Sequence, residues 1–234
     1  IAPEVLQDML EAASRASTCG NMQLYSLIVT QSRELREALA PCHFNQPMVT
    51  QAPCVITVCA DVHRFSMWCE QRDAEPCYDN FAWFLNGVTD ALLAAQNLCV
   101  EAEAHGLGIC YLGTTIYTAE EIARILDLPK GVIPVTTIVV GHPDESPELT
   151  DRLPLDAVVH CEKYHHYTSS EIDELWAEKE TSEETRRLLE ENGLPNLAQI
   201  FTRNRYRAED NLAISRNYFA LLKKQGFFNN LRKS

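Results

Sequence analysis

The stretch NFAWFLNGVTDALLAAQNLCVEAEAH, residues 80–105, decides how the rest of the chain is read. Its length and apolar spacing predict one long helix, closed by Gly106 at the position that a left-handed C-terminal cap requires. Phe81, Trp83, Phe84, Leu85, Val88, Leu92, Leu93, Leu98 and Val100 wrap most of its circumference. A helix that is apolar nearly all round is buried, either in a core or between subunits.

Toward the N-terminus, CVITVCA at residues 54–60 is a continuous apolar run, the pattern of a strand covered on both faces. LYSLIVT at residues 24–30 reads as another strand, and residues 32–39 as a helix. Pro3 and Glu4 suit the first turn of an opening helix whose apolar face is Val5, Leu6, Met9, Leu10 and Ala13. The polar stretch 17–21 ends it. Residues 61–79, with Trp68 and two cysteines among charges, read as a loop or a short helix.

Toward the C-terminus, residues 109–113 (ICYLG) are short and extended, and Thr118 with Glu121 is expected to form a capping box for a helix ending near Leu126. Residues 135–141 (VTTIVVG) form a third buried strand. Helices mixed with strands, without strict alternation, indicate an α+β fold with a sheet flanked by helices. Composition changes after about residue 162. Residues 171–192 read as one charged helix, with Thr181 and Glu184 as its capping box and Gly193 as its stop. Aromatic residues then recur over 196–228 on a polar background, so this tail is expected to pack on the body or on a partner. The organisation that follows is a domain over residues 1–165 and a helical C-terminal extension over 166–234.

The 234 residues are 46% hydrophobic and 8% aromatic, enough to bury a substantial core. Lysine plus arginine total 20 against 33 acidic residues, a net charge of −13. That field repels phosphate backbones and argues against nucleic acid or an anionic membrane as the main partner, though one local basic pocket remains compatible with it. No apolar stretch reaches the ~18 residues needed to span a bilayer. The nine cysteines are odd in number and include no C-x-x-C, and Cys54, Cys59 and Cys99 lie in apolar runs. With no signal-peptide pattern in the opening residues, reduced thiols in a cytoplasm are expected.

Self-contained chemistry is hard to find. Gly106, Gly108 and Gly113 have the wrong final spacing for a dinucleotide fingerprint, and no Walker A sequence is present. His160, Cys161, His165 and His166 cluster without metal-ligand spacing, and no G-x-S-x-G elbow occurs. A buried scaffold without a catalytic triad is the pattern expected when a cofactor performs the chemistry.

Four segments, in order, carry a resemblance. They are residues 12–23 (AASRASTCGNMQ), Asn45-Gln46-Pro47-Met48-Val49, residues 106–113 (GLGICYLG), and Gly141-His142-Pro143 followed by Arg152-Leu153-Pro154 and His160. Together they resemble the nitroreductase family, in the subgroup of the major oxygen-insensitive nitroreductase and the NADPH-flavin reductases of luminous bacteria. The resemblance implies an NAD(P)H-dependent oxidoreductase that holds FMN non-covalently at the interface of a homodimer, with the long helix in that interface. It also implies small organic acceptors such as nitroaromatics, quinones or flavins, reduced by a ping-pong mechanism with no catalytic acid or base from the protein and no metal. By position, Thr18, Cys19 and Asn21 would meet the flavin from one subunit. Gln46, the Tyr111, Leu112 and Gly113 stretch, and Arg152 would meet it from the other.

These residue types suit their assignments. An amide at Gln46 can donate to the flavin edge where charge grows on reduction. Gly113 permits close backbone approach, and the planar fork of Arg152 fits a phosphate. Two features depart from the family pattern. The chain begins at Ile1, after the point where an R-S-x-R type segment would add phosphate contacts, so that segment either lies upstream or is absent. Thr150 stands where the subgroup has a lysine. Other readings of the same chain are a non-catalytic protein on this scaffold, a flavoenzyme specialised for dehalogenation-type chemistry, and a thiol or metal enzyme.

Overall fold

A computed structural model describes residues 1–229, in which the apolar runs pair into one antiparallel sheet. Its strands are β1 (Tyr25–Thr30), β2 (Cys54–Asp61), β3 (Gly108–Leu112) and β4 (Val132–Gly141), in the order β1-β2-β4-β3. β2 lies inside the sheet and is buried at every position, as its unbroken apolar run requires. The β2–β4 register shifts at Val58/Cys59, opposite Pro134. Proline has no N–H to give a ladder and is tolerated within a sheet at such irregularities. The Pro134 carbonyl instead accepts the Tyr218 hydroxyl at 3.0 Å.

The helices are α1 (Pro3–Ser14), α2 (Arg33–Leu39), α3 (Pro47–Gln51), α4 (His63–Glu70), α5 (Phe81–Ala104), α6 (Ala119–Ile125), α7 (Ser169–Thr181), α8 (Glu183–Asn192), α9 (Leu197–Ile200) and α10 (Ala208–Lys224). Asn80 caps α5 by accepting from the Trp83 N–H, and Gly106 follows its end at φ 72°. α1 and α5 share one core with the sheet, in which Met9, Ala13, Ala94, Leu98, Ile56 and Ile138 are fully buried. Val55, Val139 and Leu112 pack instead with Val49 of α3 and Ala40.

α5 is not apolar all round in its environment. The face on the sheet is built from small residues, Gly87, Ala91, Ala94, Ala95 and Ala102, all buried. Leu85, Leu92, Leu93 and Val100 remain 42–57% exposed on this single chain. Small side chains let the helix axis approach the strands closely; Phe84 and Leu98 are buried with them, while these four larger residues point away.

Three local expectations change. Thr118 does not cap α6: its hydroxyl donates to the Cys42 carbonyl at 2.7 Å, and Glu121 pairs with Arg124. The 171–192 segment is two helices, broken at Ser182, which caps α8 by accepting from the Thr185 N–H. The capping box there is Thr168 with Glu171, whereas the Thr181 hydroxyl donates back to Ala177. Gly193 closes α8 at φ 62°, as read from sequence.

By contacts the chain forms two compact units, one of Ile1–Asp144 with Ile214–Ser234 and the other of Glu145–Ala213. The compositional change near 165 thus lies inside the second unit, because composition reports solvation and not packing. Within the first unit, Leu221, Leu222 and Phe227 bury against Leu24, Ala60 and Phe84. Among the described residues no helix is long and apolar enough to cross a membrane.

The seat of α5 yields a test. A Cβ on Gly87 would meet the Leu24 carbonyl oxygen and the Ala60 Cβ, each at 3.1 Å. Gly87→Val is expected to destabilise the fold by ~1–3 kcal/mol through overpacking. The measurement is the urea midpoint of the purified variant beside that of Gly87→Ser, which should fall between it and wild type.

Candidate functional site

The Thr18–Gln23 segment takes a conformation that L-residues avoid. Gly20, Asn21 and Gln23 lie at φ 55°, 56° and 49°. Left-handed backbone costs a non-glycine residue roughly 1–2 kcal/mol, so surrounding contacts must hold it. The principal one is Asp90 of α5, only 1% exposed. Its Oδ1 accepts the Cys19 N–H at 2.8 Å and its Oδ2 accepts the Leu24 N–H at 3.0 Å. Arg64 adds a second clamp, donating to the carbonyls of Gln23 and Tyr25 and pairing with Asp61 at 3.3 Å. The Gln23 amide donates to Asn21 Oδ1 at 3.0 Å.

Thr18 and Cys19 are left half-buried and Asn21 exposed. Thr18 makes no side-chain cap bond to the turn it precedes.

Gln46 sits elsewhere in the first unit. A turn at Ala40–His43 runs into Phe44 and Asn45, both at φ 55°, and Gln46 then begins α3. Asn45 N–H bonds to Ala40 O at 2.9 Å and Gln46 N–H to His43 O at 3.1 Å. His43 is fully buried, with its Nδ1 2.8 Å from the Thr114 hydroxyl and its Nε2 without a partner. Burial pushes the imidazole down to about 4, so it is neutral at neutral pH.

Thr114 follows Gly113, which leads β3 into a short turn. A Cβ on Gly113 would meet no atom within 4 Å, so the backbone there faces open space. Its two predicted companions are turned elsewhere. The Tyr111 hydroxyl lies 3.5 Å from Gln96 Oε1 on α5, and burial raises its pKa. Leu112 is buried at 2% exposure in the core with Val55 and Val139. The Leu112 side chain is thus spent on packing, whereas Tyr111 stays exposed with its hydroxyl toward α5.

Arg152 belongs to the second unit, exposed, with Nη1 donating to Thr150 Oγ1 at 2.7 Å and to the Asp151 carbonyl at 2.8 Å. Asp151 pairs with Lys179 at 2.7 Å, which lowers its carboxyl pKa.

The predicted residues of the first unit thus form two groups, one at Thr18, Cys19 and Asn21 and one at Gln46 and Gly113. No hydrogen bond joins the two groups among the described residues. Sequence reasoning missed the groups that hold them: Asp90, Arg64, His43 and Thr114. Asp90 was the findable one, a single acid on the small-residue face of an otherwise apolar helix. His/Cys/Asp/Glu clusters able to hold a metal are absent among the described residues.

The site is thus built on an antiparallel sheet under a closely seated long helix, with an open glycine turn and a clamped loop. The family model for the Nitroreductase family matches residues 1–142, and the chain belongs to that family. A solved Bacteroides fragilis structure, of a protein assigned as an oxidoreductase, is similar with a TM-score of 0.96 and 49% identity, over 98% of this chain and 93% of that one. The chain is also 32% identical to "FMN reductase (NADPH)" of Bacillus subtilis (strain 168), over 69% of this chain and 66% of the relative. It is 34% identical to an "NADPH-dependent oxidoreductase" of Staphylococcus aureus (strain USA300), over 70% and 67%. The match thus spans about two thirds of these curated relatives' length.

Asp90→Asn tests the clamp. An amide oxygen can accept only one of the two N–H groups, and its NH2 then faces the other. Leaving a buried donor unsatisfied costs ~1–3 kcal/mol. Urea unfolding should show that loss, and amide hydrogen exchange should quicken at Cys19 and Leu24; unchanged exchange at both would reject the clamp.

Proposed function

We propose that the chain is an FMN-dependent oxidoreductase that moves electrons from NAD(P)H to small organic acceptors and works as a homodimer. The observation that carries the reading is the open backbone at Gly113 next to the Gln46 loop, on a chain whose relatives include a named FMN reductase. The residues fit a flavin: a planar ring needs a wall without a Cβ, and Gly113 provides one. Gln46, half-buried at the start of α3, would donate its amide to the ring edge. Thr18, Cys19 and Asn21 would line the ring from the other subunit, and Arg152 would hold the phosphate. Bound FMN supplies the redox chemistry, two electrons in from NAD(P)H and two out to a nitroaromatic, quinone or flavin in a ping-pong cycle. The protein's own residues bind, orient and exclude water; none needs to move a proton.

The dimer reading is supported by α5. Its outer stripe of Leu85, Leu92, Leu93 and Val100 is an apolar surface of a kind that monomers rarely expose. A second copy of the same stripe is the occupant that a two-fold interface matches. No hydrogen bond joins the two predicted groups among the described residues, and in a dimer the site would take one group from each copy. The free cysteines are consistent with a reducing compartment.

Purified protein reconstituted with FMN should be yellow, bleach with NADPH under anaerobic conditions and recolour on addition of a quinone. Leu93→Asp should shift the sedimentation coefficient to that of a monomer and weaken FMN retention at least tenfold, about 1.4 kcal/mol or more. A protein that takes up no FMN, or a monomeric wild type, would overturn the reading.

A further inference from the structure

We propose that His43 is a positioning residue for the ligand site: one buried imidazole ties the loop that carries Gln46 to the turn that carries Gly113 and fixes their spacing. The inference rests on the flavin reading above. His43 touches both sides at once. Its carbonyl accepts the Gln46 N–H at 3.1 Å, while its ring Nδ1 lies 2.8 Å from the hydroxyl of Thr114, the residue after Gly113.

The connection is reinforced beside it. Thr118 Oγ1 donates to the Cys42 carbonyl at 2.7 Å, so consecutive residues of the 40–46 loop are bonded to the 113–118 turn. Phe44 and Asn45, both left-handed, fold the backbone sharply between His43 and Gln46. That turn makes Gln46's location a direct consequence of where His43 is held.

An apolar residue at this buried position would avoid burying a ring nitrogen, but would leave the Thr114 hydroxyl without the ring as its partner. His43 instead keeps Nε2 buried and partnerless. A half-satisfied polar group at the junction of two site loops calls for an explanation beyond packing. Directionality supplies it: a hydrogen bond specifies distance and angle, whereas apolar contact leaves two loops free to slide.

The test uses the full chain with FMN and four variants: His43→Leu, Thr114→Val, their double and His43→Asn. FMN dissociation constants come from fluorescence titration and flavin midpoint potentials from spectroelectrochemistry, with apo-protein melting recorded for each. His43→Leu and Thr114→Val are each expected to weaken FMN about tenfold, the scale of one directional bond. The double variant should be no worse than either single, because both remove the same bond. His43→Asn, whose amide can replace Nδ1, should recover most of the affinity, and the midpoint potential should move with affinity, not with melting temperature.

His43→Leu and Thr114→Val proteins that fold, bind FMN as wild type does and keep its potential would overturn the positioning role while leaving the flavin reading intact. Fully additive losses in the double would also overturn it. If His43→Leu fails to fold, Thr114→Val decides the matter by the same criterion, and His43→Asn must then bind more tightly than Thr114→Val. A wild-type chain that binds no FMN removes the flavin reading, and this inference with it.

Discussion

The backbone of Leu24 is gripped from two sides by one helix, and the rest of the site is hung from that grip. Gly87 brings α5 so close that a single added carbon would sit 3.1 Å from the Leu24 carbonyl oxygen. One turn further along, Asp90 accepts the Leu24 N–H, and its second oxygen reaches back to Cys19. Close approach is what brings the carboxylate within reach of both donors, and the two bonds are what make its burial tolerable. Without the missing side chain at 87 the acid could not dock. Without the acid the left-handed backbone at Asn21 and Gln23 would relax.

The same principle recurs on the other side of the sheet with neutral groups. Thr115 bonds to the Leu112 carbonyl and to Thr137 of β4, both at 2.9 Å, and fixes the turn after Gly113 to the sheet. His43 and Thr118 then attach the Ala40–His43 turn to it. Short polar links between rigid elements hold loops in one conformation, which is what a pre-organised binding surface needs. The side chains that could close over Gly113 are diverted: Tyr111 lies against α5 and Leu112 enters the core.

Two kinds of surface result on one helix. The small residues of α5 face the sheet together with Phe84 and Leu98, and Leu85, Leu92, Leu93 and Val100 lie on the outside. A helix that reads as apolar on every side is therefore two half-helices with different tasks. One closes the core of a single chain, and the other is available for association.

Local patterning determined the elements. The apolar run of β2, the length of α5, its closure at Gly106 and the stop at Gly193 depend on neighbours a few residues apart, and each was legible. The two misread capping boxes fail for the complementary reason. The hydroxyl of Thr118 has a better acceptor in Cys42, 76 residues away, and that of Thr181 a nearer one in its own helix. Motif order also carried the family. Only the tertiary structure could show that Asp90, Arg64 and His43 hold the loops around Cys19 and Gln46, since each acts on backbone groups or hydroxyls brought close by the fold. A hydrogen bond across 71 residues, such as His43 to Thr114, leaves no periodic trace in a sequence, because its geometry exists only after the sheet and α5 have packed.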